Sequence, residues 1–273
     1  MKVLIVSRTK MKTVRCIGGL TSDGTSLRLL TPSGKNHDTS SPLLVGQVWD
    51  LTYSPKSQLI APHVEDVLVS TQRFMDVEIK PKQYILERVF PWKGSIDKIF
   101  DGLIVYSKKN KNGYVSGYVS KQSGVPDRST GFWIPDSDLR LRDDGRHYDY
   151  ASMIKRSGRK FHTFQEAREW GTANPGGTIT KSPDGSWYIK KDVTKSKESI
   201  EEMDVYPPRG LAYVGEESPI KVIPAGTLVR LSLARWWRPD SEPNDERCYL
   251  QLSGWYDSKQ GKITQEIDDE VPF

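Results

Sequence analysis

Arginines, tryptophans and a tyrosine recur on one parity of two apolar stretches near the C-terminal end of the chain. These are the side chains best suited to binding chemistry. Thr227, Val229, Leu231 and Leu233 alternate with Leu228, Arg230, Ser232 and Ala234, and Cys248, Leu250 and Leu252 alternate with Tyr249, Gln251 and Ser253. Period-two alternation marks a strand with one face on a core. With the aliphatic set and Cys248 inward, the opposite face presents Arg230, Ser232, Trp236 and Arg238 on one strand and Tyr249, Gln251 and Trp255 on its partner. Guanidinium groups pair with phosphates, and aromatic rings stack on bases at about 1–3 kcal/mol per base. Such a face suits a single nucleic-acid strand. Trp is mostly buried on average, so the alternative is that Trp236, Trp237 and Trp255 cover a second apolar layer, under a helix at 164–170.

A second basic group precedes these by two hundred residues. Arg8, Lys10, Lys12 and Arg15 fall within eight positions between two expected strands. A loop of that density can track a phosphate backbone, and a solvated charge run is the ordinary explanation. Lys108, Lys109 and Lys111 form a similar case. Net charge is +5, with 22 Lys and Arg against 16 Asp and Glu in residues 1–154, and 7 against 11 in residues 210–273; this suits a polyanion partner, and equally a protein whose charges merely keep it dispersed.

Enzyme signatures are missing. The chain has no P-loop, no Gly-x-Gly-x-x-Gly between a strand and a helix, and no Gly-x-Ser-x-Gly elbow. Neither Cys16 nor Cys248 sits in a recognisable nucleophile context. Asp136 with Asp138, or Asp143 with Asp144, could hold a nuclease metal, but acidic pairs of this kind are far more often loop residues. The four histidines are scattered, so zinc is not expected. The expectation is a protein with no catalytic residues, no metal and no cofactor.

Bulk properties point to the elements that must position these groups. Hydrophobic residues make up only 36% of the 273, yet there are eight Trp and twelve Tyr, which suggests short strands joined by polar loops rather than disorder. Two cysteines far apart suit a cytoplasmic protein with buried thiols. The apolar run at residues 3–6 is too short for a signal peptide, and no run is long enough to span a membrane.

Residues 2–7, 15–19, 26–31, 47–53 and 63–69 read as strands, with a turn at Asp23-Gly24. This is a small antiparallel barrel or sandwich pattern, not a βαβ one. Residues 84–103 give the first helical spacing, broken by Pro91, with Ser95 capping a second short helix. Residues 132–141 return to strand. Thr163 and Glu166 form a capping box for a helix at 164–170 that ends at Gly171. Residues 177–191 read as a hairpin turning at 183–186, and residues 192–218 as a linker or long loop. The acidic tail at 268–270 is expected to be disordered. A division near residue 150 gives two unequal β-rich domains.

Two segments carry a family resemblance. One is the opening apolar strand with Arg15-Cys16-Ile17-Gly18-Gly19 and Leu27-Arg28-Leu29-Leu30. The other is Ser232-Leu233-Ala234-Arg235-Trp236-Trp237 with Cys248-Tyr249-Leu250-Gln251-Leu252-Ser253-Gly254-Trp255-Tyr256. Together they resemble the dual OB-fold domain family of bacterial proteins. The resemblance implies a mainly β chain with a few short helices and two small Greek-key OB-like barrels. One barrel would occupy residues 1–150 and the other 151–273, the latter with an inserted helix and hairpin. Barrels of this type commonly bind oligonucleotides or other ligands on one sheet face. The family also implies a place in prokaryotic anti-phage or mobile-element conflict systems, and it supplies no catalytic residues to transfer. The segment at 150–218 is too long for a simple barrel loop.

The expectation is therefore a non-catalytic nucleic-acid-binding protein using Arg8, Lys10, Lys12, Arg15, Arg230, Trp236, Arg238, Tyr249 and Trp255. The competing reading is an adaptor that docks an effector protein through the same Trp/Arg face. A nuclease built on Asp136 and Asp138 is a third.

Overall fold

The computed structural model of the chain describes residues 1–78, 80–108, 115–150, 153–156, 161–175, 177–181, 187–192, 203–205, 209–240, 242 and 244–257. The loop at 109–113, the turn at 183–186 and the tail at 268–270 lie outside the described residues.

The first 77 residues close on themselves. Strands β1 (Lys2–Met11), β2 (Val14–Thr21), β3 (Ser26–Leu30), the two-residue β4 (His37–Asp38), β5 (Gln47–Pro55) and β6 (Asp66–Val77) form one sheet. β1 pairs antiparallel with both β2 and β5, β2 with β3, and β5 with β6, while β3 runs parallel to β6. The five long strands thus make a closed barrel, which leaves no free edge among them. Val3, Ile5, Ile17, Leu29, Leu51 and Val69 fill it. The unbroken apolar run on β1 has a physical reason: the strand is buried on both faces. Val3 and Ile5 face the barrel interior, and Leu4 and Val6 face a separate apolar cluster with Leu20, Ile85, Phe132, Leu228 and Tyr256.

The chain then runs through α1 (Pro81–Leu86), β7 (Trp92–Gly94), a 3-10 segment (Ile96–Gly102), β8 (Val105–Tyr106), β9 (Val115–Ser120), β10 (Thr130–Pro135), β11 (Leu139–Leu141) and β12 (His147–Tyr150). Ser95 caps the 3-10 segment by accepting from the Asp97 amide, as expected. Helix α1 begins before the stretch read as helical, shares only residues 84–86 with it and stops at Leu86, well before Pro91.

Next comes a separate four-stranded sheet. β13 (Met153–Arg156), α2 (Phe164–Ala173), β14 (Thr178–Lys181), β15 (Trp187–Asp192) and β16 (Met203–Val205) follow in sequence, with sheet order β14-β15-β13-β16. Thr163 and Glu166 make the reciprocal capping box on α2, which runs one turn beyond the expected limit at Trp170. β14 and β15 pair as the expected antiparallel hairpin. Phe161, Ala167 and Ile189 form this unit's own small core.

The final strands, β17 (Arg209–Tyr213), β18 (Val222–Ile223), β19 (Leu228–Leu233) and β20 (Arg247–Tyr256), return to the sheet begun by β7. Its order is β18-β11-β12-β17-β9-β20-β19-β10-β7, with β8 on β9. It wraps a core that includes Phe100, Trp133, Tyr148, Leu231, Leu250 and Trp255. The overall architecture is mainly β with OB-like barrels. Strand pairing moves the boundary expected near residue 150, because β9 and β10 share a sheet with β19 and β20. The excess length at 150–218 is chiefly the inserted sheet: β12 pairs directly with β17, Tyr150 opposite Arg209, and the insert leaves and re-enters at that pair, while the stretch read as a linker at 192–218 instead carries strands β16 and β17.

Candidate nucleic-acid interface

The parity argument for an open face on β19 and β20 fails at two places. β20 carries a bulge: Arg230 pairs with Gly254 and Leu231 with Leu252, so Ser253 is the extra residue. A bulge reverses the inside–outside alternation beyond it. Trp255 therefore points inward, 7% exposed, with its ring centroid 5.5 Å from that of Tyr213 and 6.4 Å from that of Tyr148. Arg230 does lie on the opposite face, but that face is covered by the first barrel, and it is 3% exposed. Its Nη1 donates to Ser7 Oγ at 2.7 Å.

Two residues of the first basic group are likewise inside. Arg8 is 6% exposed; its Nε pairs with Glu216 at 2.8 Å, and its other nitrogens donate to the Ser41 and Thr39 carbonyls. Arg15 pairs with the other oxygen of Glu216 at 2.6 Å. Both arginines join β1 and β2 to the segment after β17, where the Lys10 amide donates to the Val214 carbonyl and the Glu216 amide to that of Arg8. Arg8, Arg15, Arg230 and Trp255 thus lie off the open surface to which they were assigned.

Lys10 and Lys12 remain exposed at the tip of the β1–β2 hairpin, where Lys12 takes a positive φ of 54° in the tight turn. Arg238 also stays exposed, while Trp236 is half-buried against the second core and Tyr249 half-buried beside Tyr118, and the fold gathers the three. Trp237 pairs through its backbone with Arg247, which holds its 52% exposed indole 5.9 Å from the Tyr249 ring. Trp236 donates from Nε1 to the Ala61 carbonyl at 2.7 Å, and Lys121 Nζ sits 5.2 Å from its ring. Lys121 and Arg238 both pair with Glu246. Trp237 and Lys121 are the members that sequence parity missed. β19 ends at Leu233, so period-two counting carries no information at 236–238, and nothing in the sequence places Lys121 beside them.

Between the hairpin tip and the 232–235 segment lies a cleft of about 170 Å³. Cys16, Arg28, His63, Thr130, Arg230 and Arg235 are among its lining residues. Arg28 grips the Asp66 carboxylate with two nitrogens at 2.6 Å each, and Arg235 reaches the same carboxylate at 2.8 Å. Burial pushes the Asp66 carboxyl up and Arg28 opposes it. Burial, with Arg28 adding to it, pushes His63 down, so the ring is held neutral; its Nε2 lies 3.8 Å from Cys248 Sγ. Burial also pushes the Cys16 thiol up, against the nucleophilic state.

Asp136 accepts from the Tyr150 hydroxyl at 2.6 Å, while Asp138 accepts from the Ala225 amide and pairs with Arg140. Among the described residues, no three His, Cys, Asp or Glu side chains converge as a metal site. Among them, too, no helix is long and apolar enough to cross a membrane.

No curated protein and no solved structure matches the chain. A family model described as the dual OB-containing domain matches residues 1–165. That span holds the closed first barrel and β7 to β12 of the second sheet; the motifs at 232–237 and 248–256 fall beyond it. On the match over more than half its length and the strand order that accompanies it, the chain belongs to the dual OB-containing domain family.

Proposed function

We propose that the chain binds single-stranded nucleic acid without cleaving it, through Lys10, Lys12, Trp236, Trp237, Arg238 and Tyr249. The observation that carries the reading is the exposed Trp237 indole beside the Tyr249 ring. A planar ring left in water offers a stacking surface to any base, and nearby cations attract the backbone. Charge at this rim is balanced, Lys121 and Arg238 pairing with Glu246 and Arg247 with Glu242 and Asp245, so the rings carry the proposal here and the exposed Lys10 and Lys12 supply its positive charge. Family membership supports the same reading, since OB barrels commonly bind oligonucleotides.

Fluorescence anisotropy with labelled DNA and RNA, single-stranded and duplex, at two salt concentrations is the test. Binding is expected to weaken with salt, by about 0.7 log units of affinity per log unit of salt for each phosphate contacted on a single strand. No affinity for any of these at low salt removes the proposal. The labelled strand is expected to stay intact in the presence of Mg2+. We place this binding in a prokaryotic conflict system, a setting supported by the resemblance of the two sequence motifs; restriction of phage plating that is lost on deleting the gene checks it.

A further inference from the structure

Among the described residues four arginines are buried as whole residues, and three of them have a carboxylate. Arg8 pairs with Glu216, Arg209 with Asp97, and Arg247 with Asp245 and Glu242. Arg230, the most deeply buried, has no carboxylate at salt-bridge distance among the described residues. Its Nη1 meets the neutral hydroxyl of Ser7, its Nε is buried with no partner, and its guanidinium carbon is 6.0 Å from the Phe132 ring centroid. Guanidinium stays charged in proteins, and a buried charge is costly unless it is paired. Space is nevertheless kept for it: a Cβ at Gly18 would stand 2.5 Å from Ser7 Oγ and 2.7 Å from Arg230 Nη2.

We infer that the cleft between the two barrels binds a phosphomonoester dianion, with the Arg230 guanidinium as its buried anchor. Charge selects the class. Arg28 and Arg235 share Asp66, and Glu65 accepts hydrogen bonds from Ser129 and Thr130. Arg28, Arg230 and Arg235 thus stand against Asp66 and Glu65, and Lys10 adds a further cation at the mouth. The excess of two positive charges matches a group carrying about −1.5 to −2 at neutral pH. Size selects the part bound. At about 170 Å³ the cleft is smaller than the roughly 300–1,000 Å³ that holds a drug-sized ligand. It takes the phosphate, and the remainder of the molecule lies outside, past Lys10 and Arg235. The inference does not depend on the stacking rim; where the phosphate belongs to a strand, it deepens that reading by naming the end of the strand that is held.

Thermal unfolding with inorganic phosphate against chloride at equal ionic strength tests the cleft alone, and a 5′-phosphorylated against a 5′-hydroxyl oligonucleotide of one sequence tests the source. Phosphate is expected to raise Tm of the wild-type chain. Arg230→Met removes the unpaired charge with an apolar stem of similar length; it is expected to fold with Tm unchanged or higher without phosphate, and to lose the phosphate increment. Arg235→Gln, at an exposed position, should shrink that increment and serves should the first variant fail to fold. Tighter binding of the phosphorylated strand by about tenfold, abolished in Arg230→Met, identifies a strand end as the source. A Tm response without that discrimination identifies free phosphate or a small phosphomonoester. No Tm response and no discrimination, or the same responses in both variants, overturns the inference. Loss of strand binding with the Tm response retained would count against the rim and leave the cleft standing.

Discussion

Replacing Glu65 by alanine should loosen the junction between the barrels. Glu65 precedes β6, is 9% exposed, and accepts four hydrogen bonds from the start of β10. Oε1 receives the Ser129 amide at 2.7 Å, the Thr130 amide at 3.0 Å and the Thr130 hydroxyl at 3.3 Å; Oε2 receives the Ser129 hydroxyl at 2.7 Å. The two hydroxyls can rotate to other acceptors, so the amides set the size of the effect. A buried donor left unpaired costs about 1–3 kcal/mol, which puts Glu65→Ala at about 2–6 kcal/mol. That is a large part of the roughly 5–15 kcal/mol that holds a domain together. Glu65→Gln is the graded control. Its carbonyl oxygen can occupy the Oε1 position and keep three of the four bonds, and its amide can donate to the Ser129 hydroxyl, for a loss of about 1 kcal/mol. Urea unfolding followed by tryptophan fluorescence and far-ultraviolet circular dichroism reads both variants. An alanine variant within about 1 kcal/mol of wild type, or a glutamine variant as damaged as the alanine one, would refute the reasoning.

The two tryptophans should separate cleanly: Trp255→Ala is expected to cost about 3–5 kcal/mol of stability by urea unfolding. Trp237→Ala should stay within about 0.5 kcal/mol in stability yet weaken strand binding by about 1–3 kcal/mol in the anisotropy assay. Gly18→Ala should destabilise by about 1–3 kcal/mol, because its methyl group meets Ser7 and Arg230; an unchanged urea midpoint would mean that the guanidinium yields freely. His63 should make the fold acid-sensitive. Burial depresses its folded pKa, so between that value and the unfolded value of about 6.5 the unfolded chain binds more protons. Stability is then complete above about pH 6.5 and falls as pH drops below it, with the depressed His37 acting in the same direction. Urea midpoints from pH 8 to pH 5 should show the fall and His63→Gln should flatten it; a flat wild-type curve counts against a neutral buried ring.

Features set by near neighbours were readable from the chain, and those set by distant ones were not. The capping box of Thr163 and Glu166, the Ser95 cap and the pairing of β14 with β15 depend on residues a few positions apart, and all are present. The inward set on β19 and β20 also follows its alternation as far as Leu252. Trp255 escapes because one unpaired residue, Ser253, reverses the parity, and no residue type announces that bulge. Arg230 and Arg8 escape because what covers them comes from more than two hundred positions away, Ser7 on one and Glu216 on the other. Alternation says which side of a strand a residue takes; it does not say what lies on that side.

The pairing of β12 with β17 separates the inserted sheet from the fate of the barrel around it. Because Tyr150 and Arg209 face each other across one ladder, the excursion between them is a loop in topology however many strands it contains. Lengthening, shortening or exchanging it requires no change of register in the strands that frame the cleft or the stacking rim. The scaffold can therefore carry a different appendage at this point while presenting the same surface around the cleft.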